Sequence, residues 1–342
     1  YEIRLSLVGS EMCIRDRMKK IFSLTLISAI LFIGACKKSN DLPDLDFRQE
    51  MRNFVKGISQ YGKSINPGFI IIPQNGQELV SANGEGTGTP ASDYLAAIDG
   101  LGREDLFYGY NNDNEATPAE DRDYIIDFLD LAQNNGKKIL SIDYCSTPSF
   151  MDNSYSQNEA KGYISFAADH RELDNIPAYP AQPFQVNADS IQNLGEAKNF
   201  LYLINPVNFL TKQDYIDAVT ATNYDALVMD LFFNDEEFSA SEINALKQKA
   251  NGGTRLVICY MSIGEAEDYR YYWQSSWSNN TPSWLDEENP NWEGNYKVRY
   301  WEQDWKNVIY GNDASYLKKI LDAEFDGVYL DIIDAFEYYE GL

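Results

Sequence analysis

The sequence is short of the side chains that most often build metal and nucleophilic sites. Its 342 residues include one histidine, His170, and four cysteines, with no CxxC pair and no Gly-rich phosphate loop after any apolar run. One histidine argues against zinc chemistry and against a Ser-His-Asp triad, so neither a metal nor a cofactor is predicted. We predict that Cys145 and Cys259 are two buried thiols, with a disulfide between them as the alternative.

Basic residues are also scarce. Lysine and arginine number 28 against 53 aspartates and glutamates, which gives a formal net charge of −25. Such a surface repels the phosphates of nucleic acids and suits neutral or cationic partners. No nucleic-acid partner is therefore predicted.

One long apolar run stands near the start of the chain. The stretch "MKKIFSLTLISAILFIGAC" (18–36) has two lysines, an apolar segment too short to span a bilayer comfortably, and then a cysteine. It has the layout of a secretory signal, and its end resembles a bacterial lipobox with Cys36 as the lipidated residue. We predict a non-native leader at 1–17, a signal at 18–36 and a tether at 37–46. We predict an exported lipoprotein that is anchored to the outer membrane, on either its periplasmic or its surface face.

The rest of the chain alternates strand-like and helix-like segments. Eight apolar runs predict strands, at 68–75, within 96–110, and at 137–144, 162–169, 199–205, 224–232, 255–262 and 325–332. Helices are predicted at 47–65, 118–136, 211–222, 239–250 and 313–324. Strands that are apolar on both faces and alternate with helices predict an α/β fold with a parallel sheet. Eight such units favour one (β/α)8 TIM barrel over 47–342, with an open doubly wound sheet as the alternative.

Carboxylates follow several of these predicted strands. The residues just past the strand ends are Asn75, Glu104, Asp143, Asn205, Asp230, Glu265 and Asp331. In a barrel, these positions carry the chemistry. Nearby aromatic residues include Tyr110, Tyr260, Trp301 and Tyr329. Paired acids among aromatic rings are typical of sugar sites, where one acid protonates the leaving oxygen and the other acts as nucleophile or base. The alternative for each single aromatic residue is ordinary packing.

Three long segments carry a family resemblance. "CYMSIGEAEDYRYYW" (259–273), "NPNWEGNYKVRYWEQDW" (289–305) and "FDGVYLDIIDAFEYY" (325–339) resemble the endo-α-1,4-polygalactosaminidases, most closely their bacterial and archaeal branch of TIM-barrel glycoside hydrolases. "IIPQNGQELV" (71–80), "DGLGREDLFYGY" (99–110) and "GYISFAADHRELDNIP" (162–177) are similar to the same family. Together these segments reach across nearly all of 47–342.

The order of the segments differs from that of the family. In the family, a segment like "DGVYLDIIDAFEYY" precedes a helix like "FRQEMRNFVKG" and a strand like "IIPQN", whereas here that helix and strand come first. The resemblance therefore implies a circular permutation, with the old ends joined by a linker near 177–196. Barrel termini lie close together, which makes such a rearrangement tolerable. A truncated tandem pair of barrels and a mis-assembled reading frame are the alternatives.

The resemblance also implies a catalytic pair. The family's two catalytic carboxylates correspond here to Asp331, in the "DGVYLD" strand end, and to Glu104, in "DGLGRE". Our hypothesis assigns Asp331 as nucleophile and Glu104 as acid/base, and leaves retaining or inverting stereochemistry open. Substrate contacts are predicted for eight further residues: Asn75, Asp143, Asp230, Glu265, Tyr110, Tyr260, Trp301 and Tyr329. The implied substrate is an α-linked amino-sugar polysaccharide or oligosaccharide. A sugar-binding lipoprotein without catalysis and a metal-dependent hydrolase are the competing interpretations.

Overall fold

The structure is a computed structural model that describes residues 42–342. The predicted leader, the signal, the lipidation site at Cys36 and the first residues of the tether lie outside this range. Residues 42–46 run without regular structure into the first helix, whose N-cap is Asp46.

All eight predicted strands are present. They are β1 (Ile70–Pro73), β2 (Gly100–Glu104), β3 (Lys138–Tyr144), β4 (Ile164–Ala168), β5 (Phe200–Tyr202), β6 (Ala226–Met229), β9 (Leu256–Ser262) and β13 (Gly327–Asp331). Nearly every residue in them is buried, because helices cover the outer face and side chains fill the inner one. The predicted mixed α/β class is confirmed.

These strands form two parallel sheets. One has the order β1-β13-β9-β6-β5 and the other the order β2-β3-β4. Isolated parallel bridges join them at both edges, from Gln74 to Gly102 and from Ser165 to Asn199. Since the strands all run the same way, their carboxyl ends meet on one side of the molecule.

Short antiparallel strands lie beyond these ends. Strands β7 (Phe232–Phe233) and β8 (Glu236–Glu237) form a hairpin after β6. Strands β10 (Glu265–Glu267), β11 (Leu285–Glu288) and β12 (Asn295–Val298) form a three-stranded sheet in the order β10-β12-β11. The sequence did not predict these five strands, because all but β7 are mostly charged or polar and form no apolar run.

Nine helices surround the strands within residues 42–342. Their bounds are α1 (Phe47–Ile65), α2 (Ser92–Ala97), α3 (Ala119–Asn134), α4 (Pro148–Lys161), α5 (Lys212–Thr220), α6 (Ala240–Leu246), α7 (Gln303–Ile309), α8 (Tyr316–Asp322) and α9 (Ala335–Glu340). The five predicted helices are α1, α3, α5, α6 and α8. In α1, Asp46 caps the first turn and an apolar face that includes Met51, Phe54, Val55 and Ile58 is buried. The other four are short or, like α4, lack an apolar stripe, so periodicity gave no signal.

The segment between β4 and β5 has neither helix nor strand, and it contains the predicted linker at 177–196. It is nevertheless tied to the core. Lys249 donates to the backbone oxygen of Asn187 at 3.1 Å, and the Asn187 amide donates to Asp225 at 2.8 Å. Within residues 42–342, none of the helices combines the length and apolar character needed to cross a membrane.

Candidate active site

Two buried carboxylates from different sheets meet at one amide nitrogen. The Gln74 Nε2 atom donates to Glu104 Oε2 at 2.9 Å and to Asp331 Oδ1 at 3.0 Å. Glu104 is the last residue of β2, and Asp331 is the last residue of β13. The two acids are 227 positions apart in sequence, and the strand ends bring them together as predicted for a shared rim.

Strand packing explains why both acids project inward. Residues 102 and 104 of β2 share one face, as do residues 329 and 331 of β13, because strand side chains alternate. A Cβ atom at Gly102 would lie 2.0 Å from the Tyr329 hydroxyl. Only glycine therefore leaves room for Tyr329 beneath the carboxylates.

Each acid also has donors of its own. Glu104 accepts from the Asn75 amide at 3.2 Å and from the Tyr144 hydroxyl through a short bond. Asp331 accepts from the Tyr260 hydroxyl at 2.7 Å and from the backbone N–H of Ile332. Hydrogen bonds of this kind stabilise negative charge on the pair in a buried place.

Burial and mutual repulsion act in the opposite direction. Burial, together with the negative charge of Glu104, raises the pKa of Asp331 to about 8. Two carboxylates this close resist double ionisation, and their protons leave in steps that belong to the pair. Near neutral pH, the pair therefore holds a proton that an exposed pair would have lost.

A pocket opens from Asp331 toward solvent. Its lining residues are Ile204, Asn205, Asp230, Tyr260, Glu265, Glu267, Tyr269, Arg270, Asn289, Trp292, Asn295, Asp331 and Ile332. Four carboxylates and one arginine are among them, so the lining is negative. Arg270 pairs with Asp230 at 2.7 Å and with Glu267 at 2.5 Å. The pocket thus suits a neutral or cationic ligand.

The small antiparallel sheet supplies one wall of this pocket. Glu265, which opens β10, accepts from the Asn289 amide at 2.8 Å and from the Asn295 amide at 3.3 Å. Burial raises the pKa of Glu265. The indole Nε1 of Trp292 is buried and has no hydrogen-bond partner among the described residues. This wall combines an anion, two amides and an aromatic ring, which are groups that bind sugars.

The predicted substrate contacts divide into two sets. Asp230, Glu265 and Tyr260 line the pocket, and Asn75 lies at the catalytic pair. Tyr329 is fully buried below the acids, without access to the pocket. Trp301 packs 5.0 Å from the Phe47 ring at the start of α1, and it is not among the pocket residues.

Two further predicted contacts also lie outside the pocket. Asp143 is completely buried and accepts from the backbone N–H groups of Phe107 and Tyr108 and from the side chains of Ser154 and Asn158. These bonds fasten the segment after β2 to α4, so Asp143 stabilises the fold at this position. Tyr110 donates to Asp121 at 3.2 Å, at the start of α3.

Several residues of the site were missed by sequence reasoning. They are Gln74, Tyr202, Glu267, Arg270, Asn289 and Asn295. The predicted strand end at Asn75 was two residues too late, since β1 ends at Pro73 and Gln74 forms the bridge to β2. The alternation Ile70, Ile72, Gln74 would have placed the glutamine on the inward face. The two asparagines come from a sheet that the sequence did not reveal.

The structure also describes the two cysteines and the side chains that could bind a metal. Cys145 and Cys259 are free and buried, which confirms that prediction. Within residues 42–342, no group of three or more His, Cys, Asp or Glu side chains is arranged to hold a metal ion.

Comparison with known proteins gives a family match for the second half of the chain. Residues 180–342 match the family model of glycoside-hydrolase family GH114, the endo-α-1,4-polygalactosaminidase family. The predicted resemblance is confirmed. The GH114 match includes Asp331 and all pocket-lining residues, while Glu104 and Gln74 lie before it.

Three relatives are uncharacterized proteins. One from Methanocaldococcus jannaschii is 41% identical over 181 residues, which cover 52% of this chain and 49% of that protein. One from Thermotoga maritima is 40% identical over 121 residues, covering 35% of this chain and 36% of that protein. One from Deinococcus radiodurans is 36% identical over 129 residues, covering 37% of this chain and 39% of that protein. The chain thus aligns with half or less of each relative.

Proposed function

We propose that this protein is a glycoside hydrolase that cleaves α-linked amino-sugar polymers with Asp331 and Glu104. The observation that carries the proposal is the pair of buried carboxylates, held by one amide at the inner end of a pocket. Two facing acids are what glycoside hydrolysis requires. The GH114 match over residues 180–342 supports the same reaction class.

The spacing of the pair favours a retaining mechanism. Glu104 Oε2 and Asp331 Oδ1 lie 2.9 and 3.0 Å from the same nitrogen, so these oxygens are at most about 6 Å apart. Retaining enzymes hold their carboxyl groups about 5–5.5 Å apart, whereas inverting enzymes need about 6.5–9.5 Å to admit a water. In a retaining reaction, one carboxylate forms an ester with the sugar, and water then hydrolyses that ester.

We assign the two roles from their positions. Asp331 lines the pocket, so it attacks the anomeric carbon. In the reacting form, the proton that burial favours on Asp331 lies on Glu104 instead; Glu104 gives it to the leaving oxygen and then takes a proton from the water that cleaves the ester. Azide rescue tests this assignment: Asp331→Ala should regain turnover with azide and yield an inverted glycosyl azide. Glu104→Ala should yield the retained azide from substrates with good leaving groups. The reverse pattern would exchange the roles.

The charge of the pocket supports a cationic substrate. Asp230, Glu265, Glu267 and Asp331 face one arginine there, and Arg270 is engaged by two of those acids. A polymer with free amino groups carries ammonium ions that would be attracted to such a pocket. Equal or better turnover of neutral glycans than of cationic ones would contradict this part of the proposal.

We propose further that the eight parallel strands form one closed (β/α)8 barrel over 47–342, circularly permuted relative to the family. The parallel bridges between the two sheets support closure. A changed segment order would limit a collinear alignment to one part of the chain, as is found for residues 180–342. An experimental structure without main-chain pairing between β1 and β2 would contradict closure.

The decisive test is hydrolysis of galactosamine-containing exopolysaccharide, alongside a panel of neutral α-glycans. Asp331→Asn and Glu104→Gln should each lower turnover by about a thousandfold or more, since each removes one of the two reacting groups. Asp130→Asn on the outside of α3 is a matched control and should keep full activity. Binding without turnover by the unmutated protein would favour a sugar-binding role instead.

The membrane anchor is a separate proposal that comes from the sequence alone. "LFIGAC" ends the predicted signal, and Cys36 is the proposed lipidated residue. Incorporation of labelled fatty acid into the chain, lost in Cys36→Ala, would support it. Unlabelled protein secreted in a soluble form would contradict it.

A further inference from the structure

The Gln74 side chain has a fixed orientation between the two acids. Its Oε1 atom accepts a hydrogen bond from the Tyr202 hydroxyl at 3.1 Å, while its Nε2 atom donates to Glu104 and Asp331. An amide nitrogen carries two hydrogens, one for each acid. A flipped amide would place its oxygen against two carboxylates, so the tyrosine and the acids both favour the same orientation.

The backbone of Gln74 is attached to the strands that carry those acids. Its N–H donates to Leu330 of β13 at 2.7 Å, next to Asp331, and Gln74 forms the parallel bridge to Gly102 of β2. The following N–H, of Asn75, donates to Gly102 at 2.9 Å. The shared donor is therefore held at a fixed position relative to both acceptors.

We propose that Gln74 is a positioning residue that lets the Asp331–Glu104 pair exchange negative charge at constant spacing. This inference rests on the proposed function and goes beyond it. In the first step, negative charge leaves Asp331 as its ester forms and develops on Glu104 as the proton departs. In the second step, the charge returns. A neutral amide bonded to both oxygens can stabilise whichever oxygen is charged, without moving.

Other groups near the pair cannot replace this shared donor. The Tyr144 hydroxyl bonds to Glu104 and the Tyr260 hydroxyl to Asp331, each to one acid. The remaining charged or titratable neighbours are Arg103 and Asp105 at the end of β2, Tyr202 on β5, Tyr329 on β13 and Asp334 after β13. Asp105 is paired with Arg171 at 2.7 Å rather than with either acid of the pair.

The test compares Gln74→Ala, Gln74→Glu and Tyr202→Phe in the full chain, with Gln133→Glu as a matched control. The Gln133 amide donates to the Lys161 backbone at 3.0 Å, on the outer face of α3. Loss of a hydrogen bond to an anion raises the pKa of that anion. The Asp331 carboxyl, followed by 13C NMR, should titrate about one unit or more higher in Gln74→Ala. In Gln74→Glu, repulsion by the added carboxylate should raise the pKa of Asp331 further. Tyr202→Phe should give a smaller shift in the same direction, and Gln133→Glu none.

Kinetics supply the second readout. Turnover in the two Gln74 variants should fall about ten- to a hundredfold, and the acidic limb of kcat/KM should move to higher pH. KM should change less than kcat. A general loss of structure would lower activity without moving the pH profile. If Gln74→Ala does not fold, Tyr202→Phe still tests the proposal, because it removes the bond that orients the Gln74 amide without adding a charge.

The outcomes separate this inference from the proposed function. An Asp331 titration unchanged in Gln74→Ala, or in Tyr202→Phe if Gln74→Ala does not fold, would overturn the role of Gln74, whether or not the protein hydrolyses glycans. A shifted titration in a protein that hydrolyses none of the tested glycans would support the link between the acids and count against the reaction. A shifted titration together with a shifted pH profile would support both.

Discussion

The ammonium group of Lys249 lies 2.9 Å from the carboxylate of Asp225, and both side chains are fully excluded from solvent. Asp225 also accepts from the Asn187 amide at 2.8 Å and from the backbone of Lys198 at 2.9 Å. This buried pair therefore fastens the segment between β4 and β5 to the strand layer. Because each charge is desolvated, either one alone would be costly to bury.

Breaking this pair should destabilise the protein strongly. Asp225→Ala leaves the Lys249 ammonium buried without its partner, and we expect a loss of about 3–5 kcal/mol in the free energy of unfolding. Lys249→Met in the same background should recover part of the loss, since it removes the unpaired charge. Chemical denaturation measures both. The more exposed Lys56–Asp93 pair, at 3.6 Å, is the control, and its loss should matter little.

Stability should depend on the charge of Asp331. Its pKa is 3.8 in its ordinary state and is raised to about 8 by burial and by Glu104, so the folded protein binds a proton that the unfolded chain releases. Stability is therefore lost as pH rises through that interval. Asp331→Asn removes the ionisation and should be more stable than the unmutated protein near pH 9, by about 1 kcal/mol or more. This difference in stability between the variant and the unmutated protein should shrink near pH 4. An equal gap at both pH values would contradict this assignment.

Removing the tyrosine donor of Asp331 should alter catalysis and its pH dependence together. Tyr260→Phe keeps the ring but deletes the hydroxyl that lies 2.7 Å from Asp331. We expect turnover to fall about ten- to a hundredfold. The acidic limb of kcat/KM should move to higher pH, because the Asp331 anion loses a donor. Tyr163→Phe, whose hydroxyl bonds to Asp130 outside the site, should leave the pH profile unchanged.

Glu265 and Asp143 should respond differently to removal of their charge. Glu265→Gln changes the pocket wall and should raise KM for a cationic oligosaccharide about tenfold, with less effect on its N-acetylated form. Asp143→Asn replaces one of the two oxygens that together accept four buried hydrogen bonds, and it should cost about 1–3 kcal/mol of stability with KM little changed. Kinetics on both substrates and thermal unfolding distinguish the two. A raised KM in Asp143→Asn with unchanged stability would show that Asp143 reaches the substrate.

Much of the fold was predictable because it depends on local patterns. Apolar runs predicted all eight parallel strands, and the spacing of Met51, Phe54, Val55 and Ile58 predicted α1 with both its ends. The short antiparallel strands, which are mostly charged or polar, gave no comparable signal. The sheet that carries Glu265 and the hairpin after β6 were therefore missed, since their pairing depends on contacts distant in sequence.

The sequence by itself determined the class of fold, the acidic character of the chain and the two acids in family-like segments, Asp331 and Glu104. Those features depend on composition, periodicity and motif, which are properties of neighbouring residues. Only the tertiary structure decided which predicted residues share a pocket. Asp143 and Glu265 look alike in sequence, as acids after or within an apolar run, yet four donors enclose the first and a pocket opens beside the second. Gln74 became part of the site because β1 lies between β2 and β13, a relationship that only the pairing of strands can create.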